Sequence, residues 1–176
     1  VENQFRLRRN RKTSDLLVSL KCSVPGIIGA ERQKGNPMEL WFTENHTDSI
    51  RFSIKIKQHV YSEKSRYQQI DILDSYELGR ILVLDGFIML TEKDEYIYHE
   101  MITHVPMATN PDIKRVLVIG AGDGGTIREL TRFKNIEHID MVEIDQRVVE
   151  VCKEYLPQTA CRLDDPRVHI LSLIHI

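Results

Sequence analysis

The chain has 176 residues, 41% hydrophobic and 28% charged, a balance that supports a packed globular body and argues against a disordered one. No run of about 18 apolar residues occurs, so no transmembrane helix is expected. The net charge of −2 gives no basis for a nucleic-acid partner. The length allows one ordinary domain, or one small domain with part of another.

Charge is unevenly placed. Residues 1–37 hold 8 Lys and Arg against 3 Asp and Glu, whereas residues 38–176 hold 16 against 23; the acidic main body suits a cationic small-molecule substrate. Arg6, Arg8, Arg9 and Arg11 with few acids look like a transit peptide. Yet Met38 opens a stretch of a different kind, and Lys34-Gly35 can be encoded by a purine-rich ribosome-binding sequence just before it. We therefore expect residues 1–37 to be a non-native, disordered upstream extension. Cys22, Cys152 and Cys161 form neither a CxxC pair nor a disulfide framework, which favours a reducing, cytoplasmic location. Cys152 is expected in the core and Cys161 as a free thiol.

From Met38 to Thr91 the signals are β. Phe52, Ile54 and Ile56 alternate with Ser53, Lys55 and Lys57, and Ile70 and Ile72 with Gln69 and Asp71, the period of half-buried strands. Ile81 to Leu84, the turn pair Asp85-Gly86, and Phe87 to Leu90 read as a hairpin. Residues 38–91 are thus a small antiparallel domain, with Trp41 a packing residue. Thr91 and Asp94 mark a helix start, and the helix is expected to stop before Pro106. His99-Glu100 and His104 do not form a zinc motif, because a spacing of five puts the histidines on different faces. No metal site is predicted, and His99 alone reads as a helix histidine satisfied by Glu95 or solvent.

Val116 to Ile119 is an apolar run that ends in Gly120-Ala121-Gly122-Asp123-Gly124-Gly125, which predicts a buried parallel strand turning into a helix from Thr126 to Phe133. Glycines 120, 122 and 125 have the dinucleotide-binding spacing, and Glu143 lies where an acid takes ribose hydroxyls. Asp123 argues against a pyrophosphate, since its carboxylate would repel the phosphates that such loops cradle. It either caps the following helix or holds a cation. A ribose with an ammonium or sulfonium and no phosphate describes S-adenosylmethionine or a relative. His138 to Val142 is the next strand, and Gln146 to Leu156 a helix halted by Pro157. Asp164-Asp165-Pro166-Arg167 is a turn, and Val168-His169-Ile170 opens a third strand. The fold class is α/β: an N-terminal antiparallel β domain, then over 92–170 the first part of a methyltransferase-like Rossmann domain, truncated.

Met38 to Glu44, Tyr67-Gln68, Leu84-Asp85-Gly86, Glu95 to Glu100, the loop 120–125, Glu143-Ile144-Asp145 and Asp164 to Val168 together resemble bacterial spermidine synthase. The resemblance implies transfer of an aminopropyl group from decarboxylated S-adenosylmethionine to putrescine, giving spermidine and methylthioadenosine. It implies that Gln68, Asp123, Glu143, Gly120 and Gly122 bind the donor, with Asp123 on its ammonium and Glu143 on both ribose hydroxyls. Tyr98 and His99 would face putrescine. The donor is a co-substrate, so no cofactor is implied, and the full-length protein is expected as a homodimer or homotetramer.

After the third strand the family continues with an Asp loop that supplies the general base, and this chain does not contain it. No catalytic residue is therefore assigned, and the chain alone is expected to be inactive. Residues 171–176 are expected to be a tail foreign to the family. Two alternatives share the loop and Glu143: a methyltransferase using intact S-adenosylmethionine, and a non-catalytic nucleoside-binding fragment.

Overall fold

A computed structural model of the chain describes residues 29–31 and 38–172. Strands β1 (Gly29–Glu31), β2 (Glu39–Asn45), β3 (Arg51–Lys64), β4 (Gln69–Ser75), β5 (Arg80–Leu84) and β6 (Phe87–Thr91) form one antiparallel sheet in chain order. Strands β7 (Arg115–Ile119), β8 (His138–Glu143) and β9 (Val168–Ser172) form a parallel sheet ordered β7-β8-β9. Helix α1 (Glu95–Thr109) lies between the two sheets in sequence, and α2 (Gly125–Thr131) and α3 (Gln146–Tyr155) are the crossovers of the parallel sheet. The expected fold class holds.

The antiparallel sheet is buried on both faces at its centre. Ile70, Ile72, Leu82 and Leu90 join the core that holds Met107 of α1, Ile127 of α2 and Val148 of α3. Phe42, Ile54, Ile56, Leu73, Ile81 and Val83 form a second core on the other face. Strand β4 is therefore more buried than its alternation suggested: even Asp71 is only 6% exposed, held by His59 at 2.9 Å. Full burial of Ile70 and Ile72 stabilises by about 1.5–3 kcal/mol each. Phe52, by contrast, is exposed at the strand end. Trp41 is half-exposed, its ring N–H donated to Glu39 at 3.2 Å. The β5–β6 turn is the expected hairpin, with positive φ at both Asp85 and Gly86, the requirement of a type I′ turn.

Three expectations need correction, and a fourth, the stop at Pro157, holds with an addition. Gly29–Glu31, inside the extension expected to be disordered, forms β1 and pairs Gly29 with Trp41, which satisfies backbone groups on the outer edge of β2; the other residues of 1–37 lie outside the described residues. Helix α1 does not stop before Pro106 but runs through it to Thr109. Pro106 lies on the exposed face, so the lost bond falls on the solvent side, while Glu95, His99, Thr103 and Met107 form a buried stripe that holds the helix across the break. Pro157 ends α3 but also opens the short α4 (Pro157–Ala160), as proline suits a first helical position. The third strand continues through Ser172, with Glu143 opposite Ser172, so Leu171 and Ser172 are not a separate tail; residues 173–176 lie outside the described residues.

Helices α3 and α4 fasten the two halves. Arg147 binds Glu63 at 2.8 Å and the Tyr61 hydroxyl at 2.8 Å, Tyr155 packs on Tyr61 with ring centres 5.0 Å apart, and Arg80 donates to the Tyr155 carbonyl. Cys152 is buried and Cys161 exposed, both free.

Strand β7 pairs only with β8 among the described residues, and Leu117 and Ile119 are 62% and 80% exposed. An apolar strand edge of this kind is a template for association. Leu117→Lys with Ile119→Lys is expected to raise the concentration at which the chain self-associates by about tenfold or more, because charged edges resist pairing. Sedimentation velocity checks it, and unchanged association would place the sticky surface elsewhere.

Candidate functional site

The loop between β7 and α2 leaves the sheet at the C-terminal end of the first strand, where ligands of open α/β sheets bind. Ala121 sits there at φ +77°, a strained setting for a residue with a side chain. Two acids meet this loop. Glu143, at the end of β8, accepts the Gly122 N–H on Oε2 and the Asp145 N–H on Oε1, both at 3.0 Å. Gly122 is needed for that approach: a Cβ there would lie 3.1 Å from Glu143 Oε2 and 3.0 Å from Val148.

Asp123 accepts on Oδ1 from the Gly125 N–H at 2.7 Å and lies 3.1 Å from His99 Nε2. Asp123 thus anchors the loop at the start of α2, where Gly124 and not Asp123 is the N-cap residue, and faces the His99 ring. The other ring nitrogen of His99 meets Glu95 at 2.5 Å. Glu95 in turn receives two bonds from Arg128, at 2.8 and 3.0 Å.

Burial disfavours charge on both Asp123 and His99, but their contact outweighs it. The His99 partner, then the Gly125 N–H, holds the Asp123 carboxyl below the usual carboxylate range. Asp123, then Glu95, lifts His99 above the ordinary imidazole value. Burial pushes the Cys152 thiol up, and the charges of Asp123 and Glu143 push it further, so the two acids act on one neighbourhood. The imidazole sits against the loop backbone: a Cβ on Gly125 would lie 2.2 Å from His99 Cε1. Gly125→Ala is therefore expected to destabilise the chain by about 1–3 kcal/mol as an overpacked site. Thermal unfolding measures this, and an unshifted midpoint would contradict the packing.

The structure distributes the expected residues over two neighbouring clusters. Tyr98 and Asp123 line a cavity of about 540 Å³ that runs along β7 beneath α1. Tyr98 is 63% exposed and turns an edge to His99, with ring centres 5.3 Å apart. His99 itself is 2% exposed and does not line this cavity, but its ring faces both Tyr98 and Asp123, which do. Gln68 lies with Glu143 in the second cluster: its amide donates to Asp145 Oδ2 at 3.0 Å, beside Ser65 at 2.7 Å. Gly120 faces open space. His104 faces Glu129 at 3.0 Å, so the two histidines have separate partners, as their spacing implied.

Three residues were not placed in the candidate site from sequence. Asp145 links Gln68, Glu143 and the start of α3, whose Arg147 N–H it caps at 3.1 Å; an Asp just ahead of an amphipathic helix was its available signal. Glu95 was considered only as a local partner of His99. Arg128 carries no signal beyond being a helix arginine.

An antiparallel sheet packed on a parallel α/β half whose Gly-rich loop meets two acids defines a two-part protein with a Rossmann-like half. The spermidine synthase tetramerisation domain matches residues 40–92 and the spermine/spermidine synthase domain residues 95–174. The polyamine aminopropyltransferase of Alkaliphilus oremlandii is 67% identical over 133 residues, covering 76% of this chain and 47% of that protein. That of Clostridium perfringens strain SM101 is 68% identical over 133 residues with the same coverage. Thermotoga maritima spermidine synthase superposes with a TM-score of 0.75 at 43% identity, covering 81% of this chain and 51% of that one. A spermidine synthase crystallised with the transition-state analogue AdoDATO gives the same score and identity. The chain belongs to the spermidine synthase family and spans about half the length of the curated relatives it matches. The family match runs to residue 174, past the boundary expected at 170.

Proposed function

We propose that the chain carries the donor-binding part of a polyamine aminopropyltransferase, which moves the aminopropyl group of decarboxylated S-adenosylmethionine to putrescine. The observation that carries this reading is the pair of acids at the loop: Glu143, with both oxygens fixed by backbone N–H groups, and Asp123, anchored on one oxygen. Each Glu143 oxygen retains a lone pair, and the donors that His99 and Gly125 bring to Asp123 both fall on its Oδ1. Glu143 is suited to two ribose hydroxyls, and Asp123 to the ammonium left exposed once the donor has lost its carboxylate. Gln68, Gly120 and Gly122 complete the donor side. Tyr98 lines the acceptor side, and His99 contributes there through Asp123.

In the transfer, the putrescine nitrogen attacks the carbon beside the sulfonium. The carbon–sulfur bond breaks, its electrons neutralise sulfur, and methylthioadenosine leaves. The amine must first lose a proton to a base. On this reading the base belongs to a segment not present in these 176 residues, and the chain alone transfers nothing. The donor is consumed, so no separate cofactor is required. The antiparallel sheet is the assembly surface of a homodimer or homotetramer, with Trp41, Phe52, Phe87 and Met89 exposed on it. No described helix is long and apolar enough to cross a membrane, and the free Cys152 and Cys161 support a cytoplasmic site of action.

The test joins residues 38–170 in frame to the part of the Alkaliphilus oremlandii relative that lies beyond its match. Putrescine-dependent formation of spermidine and methylthioadenosine by the chimera, and none by the 176-residue chain, is expected. A chimera that methylates an acceptor from intact S-adenosylmethionine and leaves putrescine unchanged would overturn the reading.

A further inference from the structure

The buried stripe of α1 begins with a residue to which the donor reading gives no work. Glu95 is 8% exposed and receives both arms of Arg128, while presenting Oε2 to His99 Nδ1 at 2.5 Å. His99 then stands between two carboxylates, with Nε2 at 3.1 Å from Asp123 Oδ1. Only the imidazolium can donate to both, because a neutral ring would turn a lone pair toward one of them. The Gly125 N–H falls on the same oxygen of Asp123, at 2.7 Å. Both protein donors to Asp123 from other residues thus fall on Oδ1, and Asp123 lines the cavity.

The groups that face His99 are Glu95 and the Tyr98 ring from α1, Asp123 from the loop and Gly125 at the start of α2. The charged chain Arg128, Glu95, His99, Asp123 sums to zero. Arg128 also donates to Glu129 at 2.9 Å and to the Gln158 carbonyl at 3.2 Å, which fixes the guanidinium from the far side. Its fork matches the carboxylate in a way that lysine cannot.

We propose that Glu95 and Arg128 are positioning residues of this site: they hold His99 so that its Nε2–H fixes one oxygen of Asp123 and leaves the other for a cationic group of the ligand. This rests on the donor reading above. Removing the Glu95 charge leaves two bad choices for the site. If His99 keeps its proton, the cluster gains a net positive charge that repels the donor; if it loses one, a neutral ring in its Nε2–H tautomer replaces the imidazolium and holds Asp123 by a weaker bond.

The 176-residue chain is compared with Glu95→Gln and Arg128→Lys at micromolar concentration. Equilibrium dialysis uses decarboxylated S-adenosylmethionine and the neutral methylthioadenosine as probes. Hydrogen exchange at histidine Cε1, followed by mass spectrometry, gives each histidine's titration midpoint without any ligand. In Glu95→Gln the His99 midpoint falls. Affinity for the cationic donor drops about tenfold, while methylthioadenosine changes by less than about twofold. Arg128→Lys shows the same selectivity with a smaller loss.

An unchanged His99 midpoint overturns the proposal. So does unchanged donor affinity, and so does an equal loss of both ligands, which is what a purely structural contact between α1 and α2 would give. Should Glu95→Gln fail to fold, Arg128→Lys carries the same comparison. Failure of the wild type to bind either ligand removes the donor reading instead, and the His99 midpoint still decides whether Glu95 governs the imidazole.

Discussion

Asp123→Asn is expected to weaken binding of decarboxylated S-adenosylmethionine by about 1.5–3 kcal/mol, the worth of a hydrogen bond to a charged group. The substitution keeps shape, and an amide oxygen can still accept from the Gly125 N–H and from His99 Nε2. What is lost is the negative charge, and with it the oxygen offered to an ammonium. His99 loses one of its two anions as well, so its raised proton affinity falls back. Methylthioadenosine has no ammonium and should bind Asp123→Asn as it binds the wild type. Calorimetry with the two ligands separates these effects. Donor affinity equal to wild type would remove the role given to Asp123, and loss of both ligands would mean that the loop itself had collapsed.

Glu143→Gln should weaken every adenosine ligand, by about 1.5–3 kcal/mol, because a charged acceptor is lost from the ribose. Its two oxygens each accept a backbone N–H, from Gly122 and from Asp145. Whichever oxygen becomes the amide nitrogen, a donor then faces a donor in a buried setting, and that unsatisfied contact costs stability as well. The contrast with Asp123→Asn is the useful part. Glu143→Gln loses methylthioadenosine and the donor alike, whereas Asp123→Asn loses only the donor. If methylthioadenosine binds Glu143→Gln undiminished, the ribose assignment is wrong.

The sequence was most informative where local chemistry dictates geometry. Asp85-Gly86 could be read as a hairpin because few residue pairs accept two positive φ angles in succession. The loop 120–125 and Glu143 meet as their spacing implied, with the Gly122 N–H donated to the Glu143 carboxylate. Helix α1 was misjudged at Pro106, since the ring's cost depends on which face it occupies, and that was set by the buried stripe from Glu95 to Met107. The burial of β4 on both faces was missed for a similar reason: Asp71 looked like the polar half of an alternation until His59 satisfied it.

The links that run between elements left little local trace. Arg128 meets Glu95 across 33 positions, and Gln68 meets Asp145 across 77. Such contacts follow from how the two halves pack, which no short window of sequence contains. His99 illustrates the mixture: its partner Glu95, one helical turn away, was foreseeable, whereas Asp123 was not.

The most direct test of the donor reading is the discrimination of the 176-residue chain between decarboxylated and intact S-adenosylmethionine, measured by calorimetry at micromolar concentration. The two ligands share the ribose, the adenine and the sulfonium and differ by one carboxylate. An acidic site built on Asp123 and Glu143 should bind the decarboxylated form at least about tenfold more tightly, since the extra carboxylate would face like charge. Equal binding, or a preference for the intact form, would contradict an aminopropyl donor site and favour a methyltransferase.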